Sequence, residues 1–408
     1  MSETLVIVGM GMAAARLVEE LSKRALGRYA IAVVGAEPRR AYNRVLLSSL
    51  LADEVGEADI ELKPASWWTA MGVTTIFGRR VVSIDREGSR IALDDGTFLP
   101  FSKLVLATGS EAVRLPLPGS DLPGVLTFRD FSDVDRIRKA TRNGARAVVI
   151  GGGLLGLEAA SGLAKAGAKT SIVHLMDRLM ERQLDPAAGA LLRGDMERRG
   201  MDVYLGAQTR EIVGTDRVEG VLLGDGTLLP ADMVVMAVGI RPQADLAKAA
   251  GLNVERGIVV GDVLTTSDPR IHAIGECAQH RGIAYGLVEP AYQQARVLAM
   301  HLCGGISAYH GSLTATNLKV SGVSVFSAGD FLGEAGTQSI ILRDPGLRSY
   351  KKLVVARSEG VTRLVGCVLF GDTQDGLWYF HLIKSGTPID AMRDDLVFGQ
   401  MLSEKQAA

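Results

Sequence analysis

The sequence predicts an α/β protein in which two doubly wound domains are nested, one inserted in the other, with a smaller α+β domain at the C-terminal end. Three observations carry this. A buried strand, a glycine turn and a helix occur in that order at residues 4–21 and again at residues 147–167. Apolar strands ending in small residues, FSKLVLATGS and ADMVVMAVGIRP, close each cycle on either side of the second pattern. The last hundred residues then change to strand-rich runs.

Bulk properties set the frame. A chain of 408 residues is too long for one ordinary core and implies two or three domains. Its 48 glycines call for many tight turns or close backbone approaches to a ligand. Lys plus Arg (45) nearly balances Asp plus Glu (46), which removes any electrostatic reason to expect nucleic acid or an acidic membrane as partner. Cys277, Cys303 and Cys367 form no CxxC pair and are too few for a four-cysteine zinc or iron-sulfur site. His272, His280, His301 and His310 are scattered, without an HExxH pattern, so no metal site is expected. The chain opens directly into an apolar strand at Leu5 and has no apolar stretch of membrane-spanning length; a cytoplasmic location is the expectation.

In the first pattern, TLVIVGMGMAAARLVEEL, Gly9, Gly11 and Ala14 match G-x-G-x-x-G/A. The first glycine makes the turn, the second admits a pyrophosphate close to the backbone, and the third small residue packs helix on strand with the helix N-terminus toward the phosphates. The following strand, YAIAVVG, ends before Glu37, whose carboxylate suits an adenosine ribose; a solvated loop acid is the competing reading. The loop AYNRVLLSS places Tyr42, Asn43 and Arg44 before an apolar helical run. Arg44 there suits a pyrophosphate or a surface ion pair.

The second pattern, AVVIGGGLLGLEAASGLAKAG, fills all three positions with Gly151, Gly153 and Gly156, so the chain is expected to hold two dinucleotides in separate Rossmann-like domains. Its next strand, TSIVHL, ends on His174, where an acid for ribose is usual. Arg178 would meet a 2′-phosphate and Asp177 a bare ribose, which leaves NADH and NADPH both open.

Strands ending near Gly109 and Gly239 mark the outward and return crossings, the first followed by a proline-bearing stretch over residues 115–124 and the second by Arg241 and Pro242. The expected domains are therefore residues 1–112 with 241–308, residues 113–240 between them, and an α+β domain over residues 309–408. DPRIHAIGECA gives a short strand before Gly275 and Glu276, then AYQQARVLAMHL a helix. VSVFSAG, YKKLVVAR and TRLVGCVLF read as strands, the last two joined by a hairpin turn at residues 358–361. DGLWYFHLIKSG reads as a helix whose Trp378, Tyr379 and Phe380 are core, or else face a flavin or a subunit contact.

Taken in order, GMGMAA, AYNRVLLSS, LVLATGS, GGGLLGLEAA, MAVGIRP, GECAQHRGIAYGLVEPAYQQA and LKVSGVSVFSAGDF resemble the pyridine nucleotide:disulfide oxidoreductase superfamily. Within it, the resemblance is greatest to the N-terminal flavoprotein part of NAD(P)H-dependent assimilatory nitrite reductase large subunits. The resemblance implies an FAD domain, an inserted NAD(P) domain and a C-terminal domain. By position, Gly9, Gly11, Ala14 and Glu37 would hold the FAD adenosine and pyrophosphate, with Arg44 and Ser48 further along and Thr108 and Gly109 close by. Glu276 stands where many relatives carry an Asp toward the ribityl chain. Gly151, Gly153 and Gly156 would hold NADH or NADPH. Glu158 matches a residue that lies near the nicotinamide in related ferredoxin reductases, and its expected role is to position, because hydride transfer to flavin needs mainly distance and alignment.

Ser49 stands where peroxidase and coenzyme A disulfide reductase relatives carry a redox cysteine, so neither a sulfenic acid cycle nor a dithiol relay is expected. The implied activity is that of an NAD(P)H-dependent flavoprotein reductase. It would pass electrons to a separate iron-sulfur or haem acceptor, a component of nitrate or nitrite reduction. An NAD(P)H-dependent rubredoxin or ferredoxin reductase, and a flavin-binding interaction subunit with little turnover, are the competing readings; a homo-oligomer stays open.

Overall fold

A computed structural model describes residues 3–25, 27–141, 144–320 and 323–406. Ser321 and Gly322, within the LKVSGVSVFSAGDF segment, lie outside the described residues. The chain forms two compact units: Met1–Leu50, Glu54–Ala112 and Ile240–Ser312 make the first, and Leu51–Asp53, Val113–Gly239 and Leu313–Ala408 the second.

The first unit is built on a five-stranded parallel sheet. Strand Glu3–Val8 pairs with Tyr29–Gly35 on one side and Lys103–Leu106 on the other; Thr74–Phe77 and Ile271–Ala273 complete the edges. These strands are continuous apolar runs because both faces of such a sheet are covered, here with Val81, Ile84, Ile91 and Leu93 of an antiparallel sheet in the same core as the helices. Leu5, Val6, Ile7, Leu104, Val105 and Leu106 are fully buried. Helices Met12–Ala25 and Val288–Leu302 pack on it, the second beginning three residues before the AYQQARVLAMHL run.

The second unit repeats the plan. Its parallel sheet runs Asp202–Tyr204, Lys169–Val173, Arg146–Ile150, Met233–Met236, Val125–Thr127. In the same unit lies an antiparallel sheet in the order Ala315–Val320, Val323–Gly329, Val361–Phe370, Ser349–Ser358, Thr337–Asp344. The hairpin between Ser358 and Val361 turns on Glu359 and Gly360, with φ of 54° and 79°. Two positive φ values are what a tight two-residue turn requires.

Helix Gly376–Ser385 covers that sheet. Tyr379 is fully buried and its hydroxyl donates to the Leu396 carbonyl at 2.7 Å, while Trp378 and Phe380 pack on the same cluster. Tyr379 is core, and Trp378 and Phe380 are half-buried at its margin. Polar anchors join this sheet to the nucleotide-type segment of the same unit. Tyr350 donates to Asp185 at 2.6 Å, and Arg348 pairs with Asp195 at 3.0 Å. Asp185 also caps helix Pro186–Arg198 through the Ala188 amide.

Strands Ser110–Ala112 and Ile240–Pro242 are antiparallel, and Arg241 forms an ion pair with Glu111.

Candidate dinucleotide sites

In an open parallel sheet, ligands bind beyond the carboxyl ends of the strands where the strand order reverses. In the first unit that point lies between Glu3–Val8 and Lys103–Leu106. Gly9 leaves the first of these strands with φ of 108°, and a β-carbon on it would fall 2.1 Å from the Ala107 carbonyl oxygen. Only glycine fits. Gly11, next to helix Met12–Ala25, has nothing within 4 Å of where its β-carbon would be. That open cradle fits a pyrophosphate against the backbone. Ala14, on that helix, is fully buried.

Adjacent strand ends bring distant residues together. Ile274 donates its amide to the Leu106 carbonyl at 3.0 Å, which sets the turn Gly275–Cys277 beside the Thr108–Gly109 segment. Ser110 donates to Glu276 at 2.8 Å, Thr108 donates to the Gln243 carbonyl at 2.7 Å, and the Gly275 amide donates to Gln294 at 2.7 Å. Ser110, Gln243 and Gln294 carry no signature in the sequence that singles them out.

Glu37 and Arg44 also meet. Arg44 forms an ion pair with Glu37, whose other oxygen accepts from Tyr42 at 2.8 Å, and the guanidinium lies 4.9 Å from the Tyr42 ring centre. Ser48 sits on the short helix Leu47–Leu51, half-buried.

The second unit builds the same turn. Gly151 has φ of 122°, and its β-carbon would fall 2.2 Å from the Ala237 carbonyl oxygen. Gly153 faces open space, and a β-carbon on Gly156 would lie 1.9 Å from the Gly151 oxygen. Helix Leu154–Lys165 then starts directly from the loop. Nearly every neighbour of Glu158 on it is buried, including Leu157, Ala159 and Ala160. Burial alone pushes the Glu158 carboxyl up to about 7.

His174 is buried at the end of its strand. Its Nδ1 accepts from the Gly152 amide at 3.0 Å, and its Nε2 lies 3.0 Å from Glu181. Both ring nitrogens of this strand-end histidine are thus engaged by local partners. Glu181 was not among the expected residues; it follows His174 by seven positions in an irregular segment, where periodicity gives no signal. Asp177 and Arg178 pair with each other at 2.9 Å, and Arg178 also donates to the Leu184 carbonyl at 3.2 Å.

The three cysteines are unpaired thiols. Burial raises the pKa of each and takes Cys367 to about 12, the opposite of an activated thiolate. Among the described residues no group of three metal-ligating side chains occurs, and no helix is long and apolar enough to cross a membrane.

Residues 3–295 match the model of the pyridine nucleotide-disulphide oxidoreductase family, and residues 315–387 match that of the rubredoxin NAD+ reductase C-terminal domain. The chain is 46% identical over 386 residues to a nitrite reductase [NAD(P)H] of Bacillus subtilis, covering 94% of this chain and 48% of that protein. It is 40% identical to the assimilatory nitrate reductase electron transfer subunit of the same organism, covering 91% of this chain and 48% of that one. It thus spans about half the length of either relative. Among solved structures, a ferredoxin reductase from Rhodopseudomonas palustris superposes with a TM-score of 0.87 at 29% identity, covering 95% of this chain and 96% of that one.

Proposed function

Because the chain belongs to the pyridine nucleotide-disulphide oxidoreductase family, we propose that it takes hydride from NADH or NADPH onto FAD and passes electrons to a separate metalloprotein. The observation that carries this reading is the doubled turn, with an open cradle at Gly11 in one unit and at Gly153 in the other. Two pyrophosphate cradles call for two dinucleotides. Bound flavin would supply the conversion of a two-electron hydride into single electrons; the protein supplies binding and orientation.

In this reading Gly9, Gly11 and Ala14 form the FAD pyrophosphate turn and Glu37 the adenosine side, with Arg44 further along the cofactor. Ser48, Thr108, Gly109 and Glu276 line the rest of the cofactor. Gly151, Gly153 and Gly156 form the coenzyme turn, with Asp177 and Arg178 on its adenosine side. Glu158 is a positioning residue. With its carboxyl near 7 it is partly protonated at neutral pH, able to donate or accept a hydrogen bond toward a nicotinamide carboxamide.

An acceptor in nitrate or nitrite reduction, with an iron-sulfur or haem centre, is supported by the names of the two Bacillus relatives. A cytoplasmic location accompanies that setting. The match of residues 315–387 to the rubredoxin NAD+ reductase C-terminal domain supports a second reading, with rubredoxin or ferredoxin as acceptor.

Anaerobic stopped-flow absorbance of the FAD-loaded protein tests the proposal. Rapid bleaching near 450 nm with NADH or NADPH is expected, followed by reoxidation on adding the acceptor. Absence of bleaching with both coenzymes would overturn it and leave a flavin-binding interaction subunit.

A further inference from the structure

Strand Lys169–Val173 ends where a nicotinamide nucleotide site usually presents an acid to the adenosine ribose, and His174 stands there instead. Its ring turns back onto the glycine loop. Because Nδ1 accepts from the Gly152 amide, the neutral ring carries its proton on Nε2, which donates to the Glu181 carboxylate at 3.0 Å. A β-carbon on Gly152 would fall 2.7 Å from the His174 ring, so glycine at that position is what admits the histidine.

The same loop is tied from the other side. The Gly152 carbonyl accepts from the Met180 amide at 3.0 Å, and Met180, fully buried, has φ of 52°. A left-handed conformation at a bulky residue is strained and persists only where its surroundings impose it. Here it delivers the next residue, Glu181, to His174. The remaining Glu181 oxygen has the Arg182 Nε at 3.8 Å, beyond hydrogen-bond length, and the Arg182 side chain is 87% exposed. Asp177 contrasts with this arrangement: it is 75% exposed and paired with Arg178, which is itself held by the Leu184 carbonyl.

We propose that Glu181 is the carboxylate that reads the 2′-position of the coenzyme ribose, with His174 as its positioning residue, and that this pair selects NADH over NADPH. The inference rests on the coenzyme reading of the second glycine turn. A fixed carboxylate accepts from ribose hydroxyls and repels a 2′-phosphate, so one group supplies both the attraction and the exclusion. Arg178, already engaged by an acid and a carbonyl, does not offset that repulsion.

The test is calorimetric binding of ADP-ribose and of 2′-phospho-ADP-ribose to the FAD-loaded protein, which needs no turnover. The unmodified protein is expected to bind ADP-ribose the more tightly. Glu181→Gln, which keeps the shape of the side chain, narrows that ratio roughly tenfold or more. His174→Gln shifts it in the same direction by a smaller factor. In stopped-flow reduction by NADH the Glu181→Gln effect falls on the half-saturating concentration and not on the limiting rate. Tighter binding of the 2′-phosphate by the unmodified protein overturns the proposal. So does a ratio that Asp177→Asn moves and Glu181→Gln does not, and in that case the coenzyme reading stands. Binding of neither ligand defeats the coenzyme reading as well.

Discussion

Gly156 faces the carbonyl oxygen of Gly151 so closely that a β-carbon on Gly156 would lie 1.9 Å from it. No side-chain rotation relieves a clash between a β-carbon and backbone. Gly156→Ala is therefore expected to displace the start of helix Leu154–Lys165 and destabilise the protein by roughly 2–4 kcal/mol. Urea unfolding checks this. Position 14, which fills the equivalent place in the first turn, already carries a β-carbon, so Ala14→Gly is expected to cost only about 1 kcal/mol.

Gly9 and Gly11 separate folding from binding. Gly9→Ala would force a β-carbon to within 2.1 Å of the Ala107 oxygen at a φ of 108°, and a loss of stability of at least about 2 kcal/mol is expected. Gly11→Ala meets nothing within 4 Å. It should melt within a few degrees of the unmodified protein when both are stripped of flavin, yet retain FAD at least tenfold less tightly if the pyrophosphate lies against that backbone. Flavin fluorescence during titration reads the difference.

The Glu158 carboxyl gives a pH dependence of known sign. Its folded pKa, about 7, lies above its ordinary 4.5, so between these values the folded state holds a proton that the unfolded state has lost. The stabilisation of the protonated form is full below about 4.5 and is lost as pH rises toward 7. Glu158→Gln is expected to flatten that decline by on the order of 2 kcal/mol, seen by comparing urea unfolding at pH 5.5 and 8. A second consequence concerns rate. If the protonated form positions the nicotinamide, flavin reduction in the unmodified protein falls above pH 7, and the Gln variant loses that dependence.

Tyr350 and Asp185 form a buried hydrogen bond of 2.6 Å between residues 165 positions apart. Tyr350→Phe leaves Asp185 its bond to the Ala188 amide and its proximity to Lys352 at 3.7 Å. A loss of about 1–2 kcal/mol is expected. Asp185→Ala removes the helix cap as well and leaves the Tyr350 hydroxyl buried without an acceptor, so thermal melting should show the larger decrease for that variant.

The thiols should behave as structural groups. Cys277 and Cys367 are fully buried, with raised pKa values. A native-state thiol titration at pH 8 is expected to label Cys303 first and to leave the rate of flavin reduction unchanged. Rapid labelling of Cys277 would contradict its full burial.

The sequence by itself determined the two nucleotide-type units, because the constraint that makes each turn is local. Gly9 and Gly151 must adopt positive φ beside another backbone, and the apolar runs on either side must be strands covered on both faces. The Glu359–Gly360 hairpin was legible for the same reason. Burial and long-range pairing were decided only by the tertiary structure. Glu158 reads as an early-helix acid until packing around Leu154–Lys165 leaves it half-buried and raises its pKa. Glu276 meets Ser110 across 166 positions, and His174 meets Gly152 across 22 and Glu181 through a strained Met180. Such contacts arise where strand ends converge in space, and ionisation follows the solvent left around a group. Neither property has a period or a spacing that a linear sequence displays.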